Sequence, residues 1–161
     1  MYLPTEPGCP TDFDFFIGEW NVTHTRLKTR LAGASDWETF PGRTTVMKVL
    51  GGFGNADDNL LELPDGAYRA VTLRAFDAKT GTWSIWWLDG RTPGAIDVPV
   101  VGRFEHGVGV FLAHDTFNGT PIVMRFTWSV PSPDRPRWEQ AFSADGGTTW
   151  ETNCTMEFTR R

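Results

Sequence analysis

Cysteine is scarce in this chain of 161 residues, occurring only at positions 9 and 154. Two thiols are too few for a disulfide framework and lack metal-ligand spacing, so both are read as reduced thiols. Histidine is nearly as rare, at positions 24, 106 and 114. A three-histidine zinc site would need all of them to converge, and His106 lies in an EHG turn between strands, so neither metal nor cofactor is expected. Basic residues are outnumbered, 15 Lys and Arg against 20 Asp and Glu, leaving a formal net charge of -5. With no cationic field, nucleic acid and anionic membrane surfaces are excluded as partners, and a small soluble molecule is expected instead. Apolar runs are only a few residues long, and the opening MYLPTEPGCPTDFDFF has neither a basic n-region nor an apolar h-region. The expected location is therefore the cytoplasm. The G-x-S-x-G, H-E-x-x-H, P-loop, C-x-x-C and G-x-G-x-x-G patterns are also missing, which removes the commonest signatures of hydrolase, metalloprotease and nucleotide chemistry.

What the sequence does have is a 14% aromatic content and a period-two rhythm. Alternating runs fall at 18–29, 37–50, 59–63, 68–76, 83–89, 98–105, 108–116, 121–130, 137–143 and 150–160, about ten strands. The links between them are short and carry turn chemistry: PDG at 64–66, DAKTG at 77–81, HG at 106–107, NG at 118–119 and ADGG at 144–147. A meander of that length either exposes two edges or closes, and only closure removes the edges. The expected fold is all-β, an antiparallel up-and-down barrel in one domain over 1–161. In it, 1–10 forms a tail and 11–17 a short helical plug. GGFGNADD at 51–58 reads as a glycine-rich loop and a candidate portal. SADGGTTW at 143–150 reads as a tight, structural Asp-box turn.

Side-chain parity then selects the lumen, because alternate residues face opposite sides of a strand. The inward set is read as Trp20, Val22, His24 and Arg26; Tyr68, Ala70, Thr72, Arg74 and Phe76; Val108, Val110, Leu112 and His114; Ile122, Met124, Phe126 and Trp128; and Trp150, Thr152, Cys154, Met156 and Phe158. The 83–89 run carries large apolar residues on both faces, so Trp86 predicts a covered outer face and a homodimer.

Gly18-x-Trp20 at the head of the first strand, with Arg160 at the end of the last, resembles the lipocalin and calycin barrel signature. There the glycine lets the chain turn tightly, the tryptophan closes the barrel floor and the late arginine lies across the indole. Five longer blocks, FDFFIGEWNVTHTRLKTRLAG, VTLRAFD, WSIWWLDGR, PVVGRFEHGVGVF and RWEQAFSADGGTTWETN, resemble an uncharacterised bacterial lipocalin-like family of the calycin superfamily. That resemblance implies the barrel fold and brings no reaction with it. Nitrobindin-like barrels, which bind haem through a histidine near the C-terminus, are a poorer match, because no histidine follows His114.

The candidate ligand-binding residues are His24, Arg26, Arg74 and His114 as basic groups in the lumen, with Met124 and Trp128 as walls. Trp87, Asp89 and Arg91 form a candidate rim. Glu139 beside Trp138 is expected to face outward. These groups point to a barrel that binds a partly apolar, anionic small molecule. The alternative is a cofactor-independent isomerase or lyase with His24 or His114 as base and Arg74 stabilising an enolate-like charge.

Overall fold

The alternating runs and glycine turns become ten strands in the computed structural model, which describes residues 3–161. They are β1 (Gly18–Leu27), β2 (Trp37–Val49), β3 (Gly54–Leu63), β4 (Gly66–Asp77), β5 (Thr82–Asp89), β6 (Val100–Glu105), β7 (Val108–Phe117), β8 (Thr120–Ser129), β9 (Arg137–Ser143) and β10 (Glu151–Arg160). Each pairs antiparallel with its neighbours in the sequence, and β1 pairs with β10, so the sheet closes into a ten-stranded barrel. Met1 and Tyr2 of the N-terminal tail lie outside the described residues. No helix among the described residues is long and apolar enough to cross a membrane.

One end of the barrel is sealed from within. A 3-10 turn at Asp14–Phe16 precedes β1 and delivers Phe13 and Phe16, exposed by only 2% and 1%, into the lumen. Phe16 packs 4.6 Å from Trp128 and 4.9 Å from Phe158, ring to ring, and its carbonyl accepts the Trp20 indole N–H at 2.8 Å. Gly18 enters β1 at φ +128, where a side chain is strained, and a Cβ there would lie 2.8 Å from Arg160 Nη1. Arg160 uses that room. Its guanidinium stands 4.1 Å over the Trp20 ring and donates to the carbonyls of Phe15 and Ile17.

Three sequence expectations need correction. First, 51–58 is not a portal loop: β3 begins at Gly54 and lies at the sealed end, with Asn55 and Asp57 buried. Glycines 51, 52 and 54 make that stretch read as a loop, yet Gly54 is there because a Cβ would meet the Arg74 carbonyl at 2.7 Å. Second, parity in β7 is inverted. Phe111 and Ala113 are buried, while Val110, Leu112 and His114 are exposed, so His114 is not a lumen residue. This strand has apolar residues on both faces, and the inward ones include small Gly109 and Ala113, which hid the true phase. Third, the β9–β10 ladder slips between Thr152 and Cys154. A bulge adds one residue and flips every side chain before it. Cys154, Met156 and Phe158 face inward as expected, but Trp150 turns outward beneath Arg125 at 4.1 Å, and Glu151 turns to the open end.

The 143–150 turn is an Asp-box in geometry as well as pattern. Asp145 accepts hydrogen bonds from the backbone of Thr148 and Thr149 and from the Ser143 and Thr149 hydroxyls. Those bonds, led by the Thr149 hydroxyl, hold its carboxyl down at about 2. Outside the wall, Glu139 pairs with Arg137 at 2.7 Å.

Candidate functional site

Above the aromatic plug the barrel encloses a cavity of about 210 Å³. This lies below the roughly 300–1,000 Å³ of drug-sized pockets, which suits a ligand of one or two rings. Its walls divide by strand. From β8, β9 and β10 come Met124, Phe126, Trp128, Trp138, Met156 and Phe158, an aromatic and thioether surface. From β1, β3 and β4 come His24, Asp57, Asn59, Thr72 and Arg74.

The polar wall is built on a buried ion pair. Arg74 and Asp57, each under 5% exposed at the side chain, meet at 2.8 Å, and the same Arg74 nitrogen donates to Asn55 Oδ1 at 2.9 Å. Asp57 also accepts from Asn59 and from the Thr72 backbone N–H. Phe13, Phe16 and Trp128 surround the guanidinium at 5.2–5.5 Å. Arg74 therefore already has its counter-ion and stands over the plug, which makes it a structural cation at the cavity floor rather than a free anchor. Its Nε is sealed without a hydrogen-bond partner.

Midway up, His24 stacks on Phe40 with centroids 4.8 Å apart and planes 8° from parallel. Burial, with a smaller contribution from the nearby Arg26 charge, pulls its pKa down to about 4. The ring is thus neutral across the physiological range. As the base of an isomerase or lyase it is therefore weak.

At the open end, segment 28–36 leaves β1 and folds inward. Leu31 packs against the core, its N–H bonded to Glu151 Oε1 at 2.8 Å, and Arg30 reaches the cavity. Arg26 is tied to Glu38 at 2.6 Å, and Arg91 to Asp89 at 2.7 Å. Arg30 makes no ion pair with a described residue. Burial lowers its pKa, but a guanidinium stays charged at neutral pH. Arg91 lies 3.6 Å over the Tyr68 ring, outside the lumen, so Asp89 and Arg91 brace the wall while Tyr68 and Trp87 line it. Asp97 completes the rim, its pKa raised by burial first and then by Asp115 and Asp89. The thiol of Cys154, also lining the cavity, is pushed by burial up to about 11.

Of the residues singled out from sequence, His24, Arg26, Arg74, Trp87, Met124 and Trp128 line one cavity, whereas His114, Asp89 and Arg91 do not. Sequence reasoning missed Arg30, which sits in a turn with no parity to read, and Asn55 and Asp57, masked by glycines. Among the described residues, no group of His, Cys, Asp and Glu could hold a metal ion.

The fold and this cavity together define a lipocalin-like barrel. No family model matches the chain, and no curated protein does. Among solved structures, the chain is similar to the S-type phycobiliprotein lyase CPES from Guillardia theta, with a TM-score of 0.62 over 92% of this chain and 90% of that one. At 10% identity the likeness is one of fold.

Proposed function

We propose that the barrel binds a compact, ring-bearing organic anion, with its apolar body on the Met124–Trp138 side and its acidic group toward Arg30. One observation carries this reading: a half-buried guanidinium that makes no ion pair with a described residue, and rests 5.6 Å over the Phe142 ring, borders a cavity walled by aromatic side chains. A charge in that position is costly to leave uncompensated, and a carboxylate takes two of its donors at once. The likeness in fold to a phycobiliprotein lyase is in keeping with a barrel that handles a small molecule.

Calorimetric titration with 2-naphthoate and with its neutral amide tests the reading. The acid is expected to bind at least tenfold more tightly, and Arg30→Ala to erase that margin. Equal affinities in the parent protein, or no binding by either compound, would overturn it.

The outer face of β4 to β7 is assigned to a second copy of the chain. Val71, Leu73, Val101, Val108, Val110 and Leu112 are each 36–44% exposed; Val101 pairs with Leu112, and Val71 and Leu73 pair with Leu88 and Trp86 of β5, which lies between β4 and β6. They present on the order of 400 Å² of apolar surface, most of the apolar share of a dimer interface burying about 800 Å² per partner. Sedimentation at micromolar concentration is expected to give twice the chain mass, and a clean monomer would refute the assignment.

A further inference from the structure

We infer that His24 selects ligands carrying a hydroxyl on the side of the ring opposite the acidic group. The inference rests on the cavity being the ligand site and adds what the ligand must look like in its interior.

His24 is 3% exposed, and the surface it keeps borders the cavity. The side-chain nitrogens that are sealed and unpartnered belong to Arg74 and Asn153; those of His24 are not sealed, and neither bonds to a described residue. The chain makes room for this ring. A Cβ on Gly42 would stand 2.6 Å from His24 Nε2, so glycine opposite is what allows the imidazole to lie flat on Phe40. An apolar ring would stack on Phe40 equally well without leaving polar atoms unpaired. What the imidazole adds is hydrogen-bonding capacity on a ring that borders the cavity.

The kind of group it accepts follows from its charge. A neutral imidazole offers one donor and one acceptor, and a hydroxyl can answer either, whichever nitrogen carries the proton. A second carboxylate would meet no cation at this depth, because Arg74 is engaged by Asp57.

The spacing follows from register. His24 is paired with Met156, and Arg26 with Cys154, two residues nearer the open end. Arg30 lies beyond that second pair, its guanidinium 5.6 Å over the ring of Phe142, whose backbone pairs with Glu151. Two residues along a strand cover about 6.6 Å, so the register sets the two groups farther apart than that. A benzene ring with a polar group at each end, hydrogen-bonded at about 2.8 Å on both sides, fits such a separation. The ligand class is a ring acid hydroxylated opposite its carboxylate.

The test compares 4-hydroxybenzoate with 4-methylbenzoate, which has the same shape without the hydrogen bond, by calorimetry on the full chain. The hydroxy acid is expected to bind about fivefold to tenfold more tightly, the range of one hydrogen bond satisfied in a buried site. His24→Phe is expected to remove or reverse that preference, read as the ratio of the two affinities, and His24→Gln to restore part of it. Equal binding of the two acids by the parent protein, with both still sensitive to Arg30→Ala, would overturn this inference and leave the anion site standing. A preference that survives in both His24 variants would overturn it as well. If neither acid binds at millimolar concentration, both readings fall.

Discussion

The neutral His24 makes a prediction that needs no ligand. Its pKa falls from 6.5 in the unfolded chain to about 4 in the barrel, because burial disfavours the imidazolium. Between those values the unfolded state binds a proton that the folded state refuses, so stability rises with pH across the window and is lost as pH falls from 6.5 toward 4. From pH 7 to pH 4.5 this one group removes about 2.5 kcal/mol. Carboxylates contribute to the same acid limb, so the informative quantity is the difference between the parent protein and His24→Gln, which cannot titrate. Urea unfolding at both pH values, followed by tryptophan fluorescence, supplies it. The variant is expected to lose about 2.5 kcal/mol less than the parent on acidification. Parallel losses within about 0.5 kcal/mol would show that His24 is protonated in the fold, and the neutral hydrogen-bonding ring would go with it.

The buried ion pair, the sealed end and the thiols give three further expectations. Asp57→Asn strands the Arg74 guanidinium in a site under 5% exposed, and is expected to cost about 3–5 kcal/mol, or roughly 6–20 °C in melting temperature for a chain of this size. A loss under 1 kcal/mol would contradict the pairing. Trp20→Ala removes a fully buried ring from the floor and is expected to cost about 3–5 kcal/mol, whereas Arg160→Ala, at a more exposed position, is expected to cost about 1–2 kcal/mol, both read by thermal melts. A neutral thiol reagent at pH 8 is expected to label the half-buried Cys9 and to reach Cys154 only after unfolding. Rapid labelling of both would mean the cavity is open at the level of Cys154.

How much could be read in advance depended on whether one signal was left to be read. Where one face of a strand is polar, as in β1 with Glu19, Asn21 and Thr23 against Trp20, Val22 and His24, period two fixed both the element and its orientation. In β7 the outer face is apolar too, and the alternation no longer distinguishes lumen from surface, so His114 was misassigned. In β10 the pattern is clear but a bulge resets it, and nothing in TNC at 152–154 announces the extra residue. Arg30 lies in a segment whose position depends on Leu31 packing and on Glu151, 120 residues away. Contacts of that range leave no local trace. The Arg74–Asp57 pair was half legible: the arginine showed by parity, while its partner hid in a stretch whose glycines are required by close backbone approach rather than by flexibility.

The central claim is that the lumen holds an organic anion with its acidic group at Arg30. A crystal of the protein soaked in 2-naphthoate tests it most directly. The account requires density inside the barrel, with the rings against Trp138 and Met156 and the carboxylate within hydrogen-bond reach of the Arg30 guanidinium. An empty lumen in a fully soaked crystal, or naphthoate bound only on the outer face of the sheet, would contradict it.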